Sequence, residues 1–185
     1  MSSNQATQPD YSNAAYVVSA DNHVMRNDMA RSLEEHADEV RRQIRRLYAS
    51  FLGAFFGRLF RQNPWLDSIT LSFQPSMEHD DAGGYFTVVN GRVDEVTNVV
   101  GVEAPEDVRD DSGAFDSDLA CNFLSREVED NDNGLYEGLV DDIGELSDVT
   151  ITARRAPLAD LLAQPEINGN AVFERFFPDR AEAIR

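Results

Sequence analysis

The chain has 185 residues, 42% of them hydrophobic and 9% aromatic, which is typical of a globular protein and excludes wholesale disorder. Its 34 acidic residues outweigh 16 arginines, with no lysine, so the formal net charge at pH 7 is −18. A protein of this charge repels nucleic acids and anionic membranes at long range, so neither is expected as a direct partner.

The amino terminus is polar and aperiodic, and we predict that residues 1–20 form a flexible arm. It has neither the basic start nor the apolar stretch of a secretory signal. The single cysteine, Cys121, excludes an intrachain disulfide and favours a reducing compartment. The sequence therefore predicts a cytoplasmic protein, with one domain over residues 21–185.

A long helix is predicted before residue 63. Asp21 or Asn22 could cap its start, and Asn63-Pro64 would end it. The result is one long helix, or two helices joined near the glycines, of up to about 35 residues. Apolar side chains recur at helical spacing along it, namely Met29, Leu33, Val40, Ile44, Leu47, Phe51, Phe55 and Leu59. The apolar run 47–60 is interrupted by Arg58 and is too short for the roughly 20 residues of a bilayer span.

The last three turns of this helix are apolar or small nearly all round, which is typical of a buried helix. We expect Phe51, Phe55, Phe56 and Leu59 to be buried, and Arg58 to reach an edge or a carboxylate. Opposite the bulky side chains lies a small face that would admit another backbone closely. Its glycines, Gly53 and Gly57, could pack against a helix of the same chain or form a homo-oligomer interface.

Alternating apolar and polar residues predict strands at 69–73 and 149–153, and a hairpin of 85–89 and 92–100 turning at Asn90-Gly91. Shorter helices are predicted at 116–128, 135–146, 158–163 and 171–177. The fold class is therefore α+β: a single domain with a long N-terminal helix packed on an antiparallel sheet of about four strands, and several short C-terminal helices.

One loop concentrates possible metal ligands. Carboxylate oxygens suit hard cations and imidazole suits transition metals. The candidate ligands are Glu78, His79, Asp80 and Asp81. The alternative interpretation is a solvated hairpin loop whose turn is supplied by Gly83-Gly84. No phosphate loop, dinucleotide fingerprint, zinc spacing or nucleophile elbow is present, so no cofactor is expected.

The net charge is concentrated in an acidic segment, residues 76–148, which holds 21 acidic residues and three arginines, a sum of −18. Like charges four residues apart, such as Asp107 and Asp111, lower helix stability, so we infer that the charge is used. Rows of carboxylates can imitate the phosphates of DNA. The predicted partner-binding residues are Asp107, Asp110, Asp111, Asp116, Asp118, Asp141, Asp142 and Glu145.

These features predict a non-enzymatic acidic module that engages a basic protein, as nucleic-acid-mimicking inhibitors and immunity-type proteins do. Three alternatives stay open. The protein could be a self-assembling component of a phage or mobile element, or a metal-dependent enzyme at the 78–81 loop. The acidity could also serve solubility or adaptation to high salt rather than binding.

Overall fold

The computed structural model describes residues 16–79, 83–141 and 146–184, and the chain divides into two compact units, residues 1–44 and 45–185. The strands are β1 (Tyr16–Val18), β2 (Val24–Arg26), β3 (Leu66–His79), β4 (Tyr85–Asn98) and β5 (Val149–Arg154). The α-helices are α1 (Asp28–Gln62), α2 (Ser117–Glu129), α3 (Asp132–Leu139), α4 (Ala159–Leu162), α5 (Gly169–Phe176) and α6 (Pro178–Ala183), with 3-10 turns at Glu106–Val108 and Ala156–Leu158.

In the first unit, β1 and β2 form a small antiparallel hairpin. Asn22 has a positive φ of 59° in its turn, a conformation that asparagine tolerates. The helix α1 follows, and the Asn27 side chain accepts a hydrogen bond from the Ala30 N–H at 3.0 Å. The cap predicted at residues 21–22 is therefore wrong, because those residues turn the hairpin. Of the arm predicted at 1–20, residues 1–15 lie outside the described residues and 16–18 form β1.

The long helix is confirmed: α1 spans 35 residues and ends one residue before Asn63. Phe55, Phe56 and Leu59 are buried as predicted, with at most 3% of each residue exposed. Phe51 is 39% exposed, so that prediction is wrong. Its ring lies over Gly134, where an added Cβ would come within 2.7 Å of Phe51 Cε1, so it covers the outside of the core rather than entering it.

The second unit contains a three-stranded antiparallel sheet in the order β4-β3-β5. The predicted hairpin at Asn90-Gly91 is wrong, because β4 runs straight through these residues and pairs with β3. Gly91 is needed for packing instead, since an added Cβ would lie 2.9 Å from Asp132 Cβ and 3.1 Å from Phe73 Cε1. The two strands are instead connected between His79 and Tyr85, where Gly83 has a φ of 83°.

A single hydrophobic cluster joins the sheet to the helices of the second unit. It combines Phe56 and Leu59 of α1 with Ile69 and Phe73 of β3, and α2 lies along β4. The second short helix was predicted at 135–146, but α3 ends at Leu139 and residues 142–145 lie outside the described residues. The α+β class, with a long helix, an antiparallel sheet and short C-terminal helices, is confirmed.

The small face of α1 is occupied by the chain itself. A Cβ on Gly53 would overlap the carbonyl oxygen of Gly169, and one on Gly57 would approach Ile167 Cγ2 to 2.9 Å. The start of α5 therefore packs where a second copy was considered, so this face is not a free surface for self-association. Within the described ranges, no helix has the length and apolarity needed to cross a bilayer.

Candidate partner-binding surface

The centre of the acidic segment is a compact loop between β4 and α2. Its first turn, Glu106–Val108, is anchored by Val108, which is fully buried. The loop then reverses, because Arg109 and Phe115 form an antiparallel bridge and Gly113 takes a φ of 82°. Glu106 and Asp107 are held facing solvent while Val108 points into the core.

Asp110 organises the reversal. Its Oδ1 accepts hydrogen bonds from Ser112 Oγ at 2.6 Å, Ser112 N at 2.9 Å and Ala114 N at 3.0 Å. These bonds, the Ser112 hydroxyl first, lower the pKa of Asp110 below its ordinary value. Oδ2 accepts no hydrogen bond from the part of the chain that the structure describes. The carboxylate therefore fixes the loop with one oxygen and stays charged to a lower pH than an ordinary aspartate.

The loop encloses an open acidic cleft of about 450 Å³, lined by Glu106, Arg109, Asp110, Asp111 and Gly113. Arg109 supplies the cation of the lining, and its Nη2 pairs with Glu103 Oε1 at 3.0 Å. The three acidic side chains of the lining, with one arginine that is already paired, leave the cleft anionic. Its size and charge suit a guanidinium or ammonium group from another molecule.

Two predicted residues lie at the start of α2. Asp116 caps this helix, because its Oδ1 accepts from Asp118 N at 2.8 Å and Leu119 N at 2.9 Å. Asp118 is exposed in the first turn, where a carboxylate is favourable beside the helix amino terminus. Asp116 is therefore explained by helix capping alone, whereas Asp118 adds to the exposed charge.

A second group of carboxylates lies near Cys121, on α2 and on the strand β4 that α2 packs against. Burial raises the pKa of the Cys121 thiol, a hydrogen bond with Ser117 partly opposes this rise, and the negative charges of Asp118, Asp94 and Glu95 add to it. The thiol therefore stays protonated at neutral pH and is a poor nucleophile. Of the two β4 carboxylates, Glu95 is exposed, whereas Asp94 pairs with Arg92 Nε at 2.7 Å. Glu95 therefore adds to the exposed negative charge beside α2, although it was not among the residues that we predicted from sequence.

The remaining predicted partner-binding residues do not join this group. Asp141 pairs with Arg180 Nη2 at 3.1 Å and lines a separate cavity of about 330 Å³. Asp142 and Glu145 lie outside the described residues. The structure thus gathers Asp107, Asp110 and Asp111 on one loop and Asp118 on the helix that follows, and it gives Asp141 a partner within the chain.

Two of the four predicted metal ligands lie among the described residues. Glu78 and His79 are the last, exposed residues of β3, and the His79 ring lies 3.9 Å from the Tyr85 ring between centroids. Asp80 and Asp81 lie outside the described residues. Among residues 16–79, 83–141 and 146–184, no group of three or more histidine, cysteine or acidic side chains is arranged to hold a metal ion. A metal site at 78–81 stays a prediction.

Glu103, Glu106, Asp94 and Glu95 were not among the partner-binding residues predicted from sequence, although all lie in the acidic segment. The charge count of the acidic segment includes these residues. Sequence alone does not show that β4, which carries Asp94 and Glu95, packs beside α2. In comparisons with known proteins, the chain matches no family model, no curated protein and no solved structure. Any function must therefore be argued from the surface itself.

Proposed function

We propose that this protein is a non-enzymatic binding module that engages a basic protein through the acidic cleft and the carboxylates beside it. The observation that carries the proposal is the fixed loop of Glu106, Asp107, Asp110 and Asp111, which holds charges of one sign close together. The Asp110 hydrogen bonds already order the backbone that carries these carboxylates, so a binding cation needs to order only their side chains.

The partner class that we propose is a nucleic-acid-binding protein, for which the module acts as an inhibitor or immunity-type protein in the cytoplasm. Such partners carry arginine and lysine side chains spaced to meet phosphates. Arginine in particular forms two parallel hydrogen bonds with a carboxylate. In this arrangement the open cleft would receive one arginine, and exposed Asp118 on α2 would receive a neighbouring cation.

Capture followed by competition tests this proposal. The immobilised parent is compared with the triple variant Glu106→Gln, Asp107→Asn, Asp111→Asn in a lysate at low salt. Asp110 is left intact because it holds the loop together. The matched control is Glu35→Gln, Glu166→Gln, Glu182→Gln, which removes the same charge from exposed residues outside the acidic segment.

We expect a nucleic-acid-binding protein to be retained by the parent and the control, lost from the triple variant, and displaced by duplex DNA. Equal retention on all three proteins would contradict a role for the cleft. Retention that duplex DNA does not displace would contradict nucleic-acid mimicry.

Self-assembly is a second candidate function. It is supported by a surface separate from the acidic cleft, the segment of α1 in the first unit.

A further inference from the structure

The segment of α1 in the first unit, residues 28–44, carries a heptad pattern of apolar side chains. Ala37 and Ile44 are seven residues apart and occupy position a, while Leu33 and Val40 occupy position d. None of these four is fully buried, and Val40 is 39% exposed. A stripe of apolar side chains at heptad positions a and d is normally covered by another helix.

After Asp28 and Arg31, which pair with each other, the charged residues of this segment fall in two blocks of opposite sign. Glu34, Glu35, Asp38 and Glu39 come first, and Arg41 and Arg42 follow. In the heptad frame, Glu34 and Arg41 both fall at position e, beside the apolar stripe. Position e residues of two antiparallel helices face each other across the seam, so they decide orientation and register.

We propose that two copies of this chain associate through an antiparallel pair of α1 segments, with Glu34 of each copy opposite Arg41 of the other. The apolar layers in this register set Ala37 against Val40 and Leu33 against Ile44. The pair is symmetric about a twofold axis between residues 38 and 39, so the contact closes as a dimer.

The charge pattern selects this register over its neighbours. Sliding one helix by a heptad in one direction sets Glu34 against Glu34, and sliding it in the other sets Arg41 against Arg41. A parallel pair would set His36 against Arg41 and Met29 against Glu34, which gains no attraction between opposite charges. Only the antiparallel register centred between residues 38 and 39 joins opposite charges on both sides.

Both residues also have partners within the chain. Glu34 Oε2 accepts from Arg26 Nη1 at 2.6 Å and its Oε1 accepts from Tyr16 OH at 3.4 Å, while Arg41 Nη1 donates to Asp38 Oδ1 at 2.7 Å. Their side chains remain 44% and 62% exposed. A carboxylate accepts several hydrogen bonds and a guanidinium donates five, so these contacts can persist when a second copy binds.

Sedimentation equilibrium of the full chain tests the proposal with two single variants. Glu34→Arg sets arginine against arginine in a homodimer, and Arg41→Glu sets glutamate against glutamate. Each variant should raise the dimer dissociation constant by roughly tenfold, because two pairs change from attraction to repulsion. An equal mixture of the two restores opposite charges at both pairs, so the mixture should dimerise like the parent.

The controls are Glu35→Arg and Arg42→Glu, which make the same charge changes at position f, away from the seam. Both should dimerise like the parent, and circular dichroism should report equal helix content in all five proteins. A parent that stays monomeric at every accessible concentration would overturn the proposal. Variants at residues 34 and 41 that dimerise normally, or a mixture that does not recover, would also overturn it.

Discussion

Arg155 is the residue that ties three segments of the second unit together. Its Nε donates a hydrogen bond to Leu66 O at 2.7 Å. Its Nη2 donates to Asn63 O at 2.7 Å and also to Phe60 O. Two of these carbonyls belong to the end of α1 and the residue after it, where helix carbonyls have no partner within the helix. Burial lowers the pKa of Arg155 from its ordinary value, yet the guanidinium stays charged at any physiological pH.

Replacing Arg155 with lysine should therefore destabilise the protein although the charge is kept. A single ammonium cannot reach three carbonyls in the geometry of the planar guanidinium, so we expect a loss of about 2–3 kcal/mol in the free energy of unfolding. Urea denaturation measures it. The control Arg154→Lys changes the exposed neighbour and should have no measurable effect. Equal stability of the Arg155 variant and the parent would contradict a stabilising role for the hydrogen bonds from the guanidinium to the three carbonyls.

Glu137 on α3 should make the protein less stable as the pH rises. A carboxylate paired with a cation would have the opposite effect. Burial raises its pKa above the ordinary value, and its Oε2 is buried with no hydrogen-bond partner in the described structure. The folded state therefore binds this proton more tightly than the unfolded state does. The resulting loss of stability begins as the pH rises through the ordinary pKa and is complete above the raised folded pKa.

Glu137→Gln removes this titration. We expect it to raise Tm by about 1–3 °C at neutral pH and to leave Tm unchanged at a pH below the ordinary glutamate pKa. Thermal melts across this range measure the difference. A difference in Tm that does not depend on pH would mean that the variant differs from the parent in packing rather than in ionisation.

At the scale of elements, α1 shows how far periodicity leads. The helical spacing and the Asn63-Pro64 stop predicted its end and its approximate length but not its start. The apolar arc around Arg58 predicted that this arginine would reach an edge or a carboxylate. Arg58 Nη2 does pair with Glu127 Oε1, at 2.5 Å. The prediction that Phe51 is buried was wrong. Helical spacing places Phe51 on the flank of the apolar stripe, but it does not show that the ring lies over Gly134 on the outside of the core.

The prediction of a hairpin turn at Asn90-Gly91 was wrong for a different reason. Asn-Gly is a strong local turn signal, but here the glycine is required by tertiary packing. The close approach of Phe73 and Asp132 is decided by residues far away in the sequence. At the candidate site, composition located the acidic segment, but the roles of Asp110 and Asp116 depend on backbone geometry. Local pattern could not separate carboxylates that hold the loop from those that face solvent.

Phe55 and Phe51 form a matched pair on α1 that tests the packing. Phe55 is 3% exposed and meets the Phe56 ring edge-on at 5.7 Å, so Phe55→Ala should cost about 3–5 kcal/mol. Phe51→Ala should cost less than about half of that, because part of its ring is already in water. Chemical denaturation of both variants measures the ratio, and equal losses would contradict the difference in burial.

For the whole molecule, the question is what the charge of −18 serves. The arginines outside the acidic segment are largely matched by carboxylates, as in the Asp38–Arg41 and Glu39–Arg42 pairs. The acidic segment has three arginines, and its exposed carboxylates repel one another. Added salt should relieve this repulsion at low ionic strength, since the screening length falls to about 10 Å at 0.1 M. With a binding role, stability should then level off, whereas salt adaptation requires a gain that continues to molar salt.

The central claim is that the carboxylates of the acidic cleft attract a basic partner. Stopped-flow measurement of the association rate constant with the captured partner, as a function of salt concentration, tests it most directly. We expect the parent rate to fall steeply with salt, and the Glu106→Gln, Asp107→Asn, Asp111→Asn variant to associate about tenfold more slowly at low salt with a shallower dependence. The control at Glu35, Glu166 and Glu182 should stay within about twofold of the parent, because it removes the same charge from residues outside the proposed contact. A triple variant that associates as fast as the parent at low salt would contradict the claim.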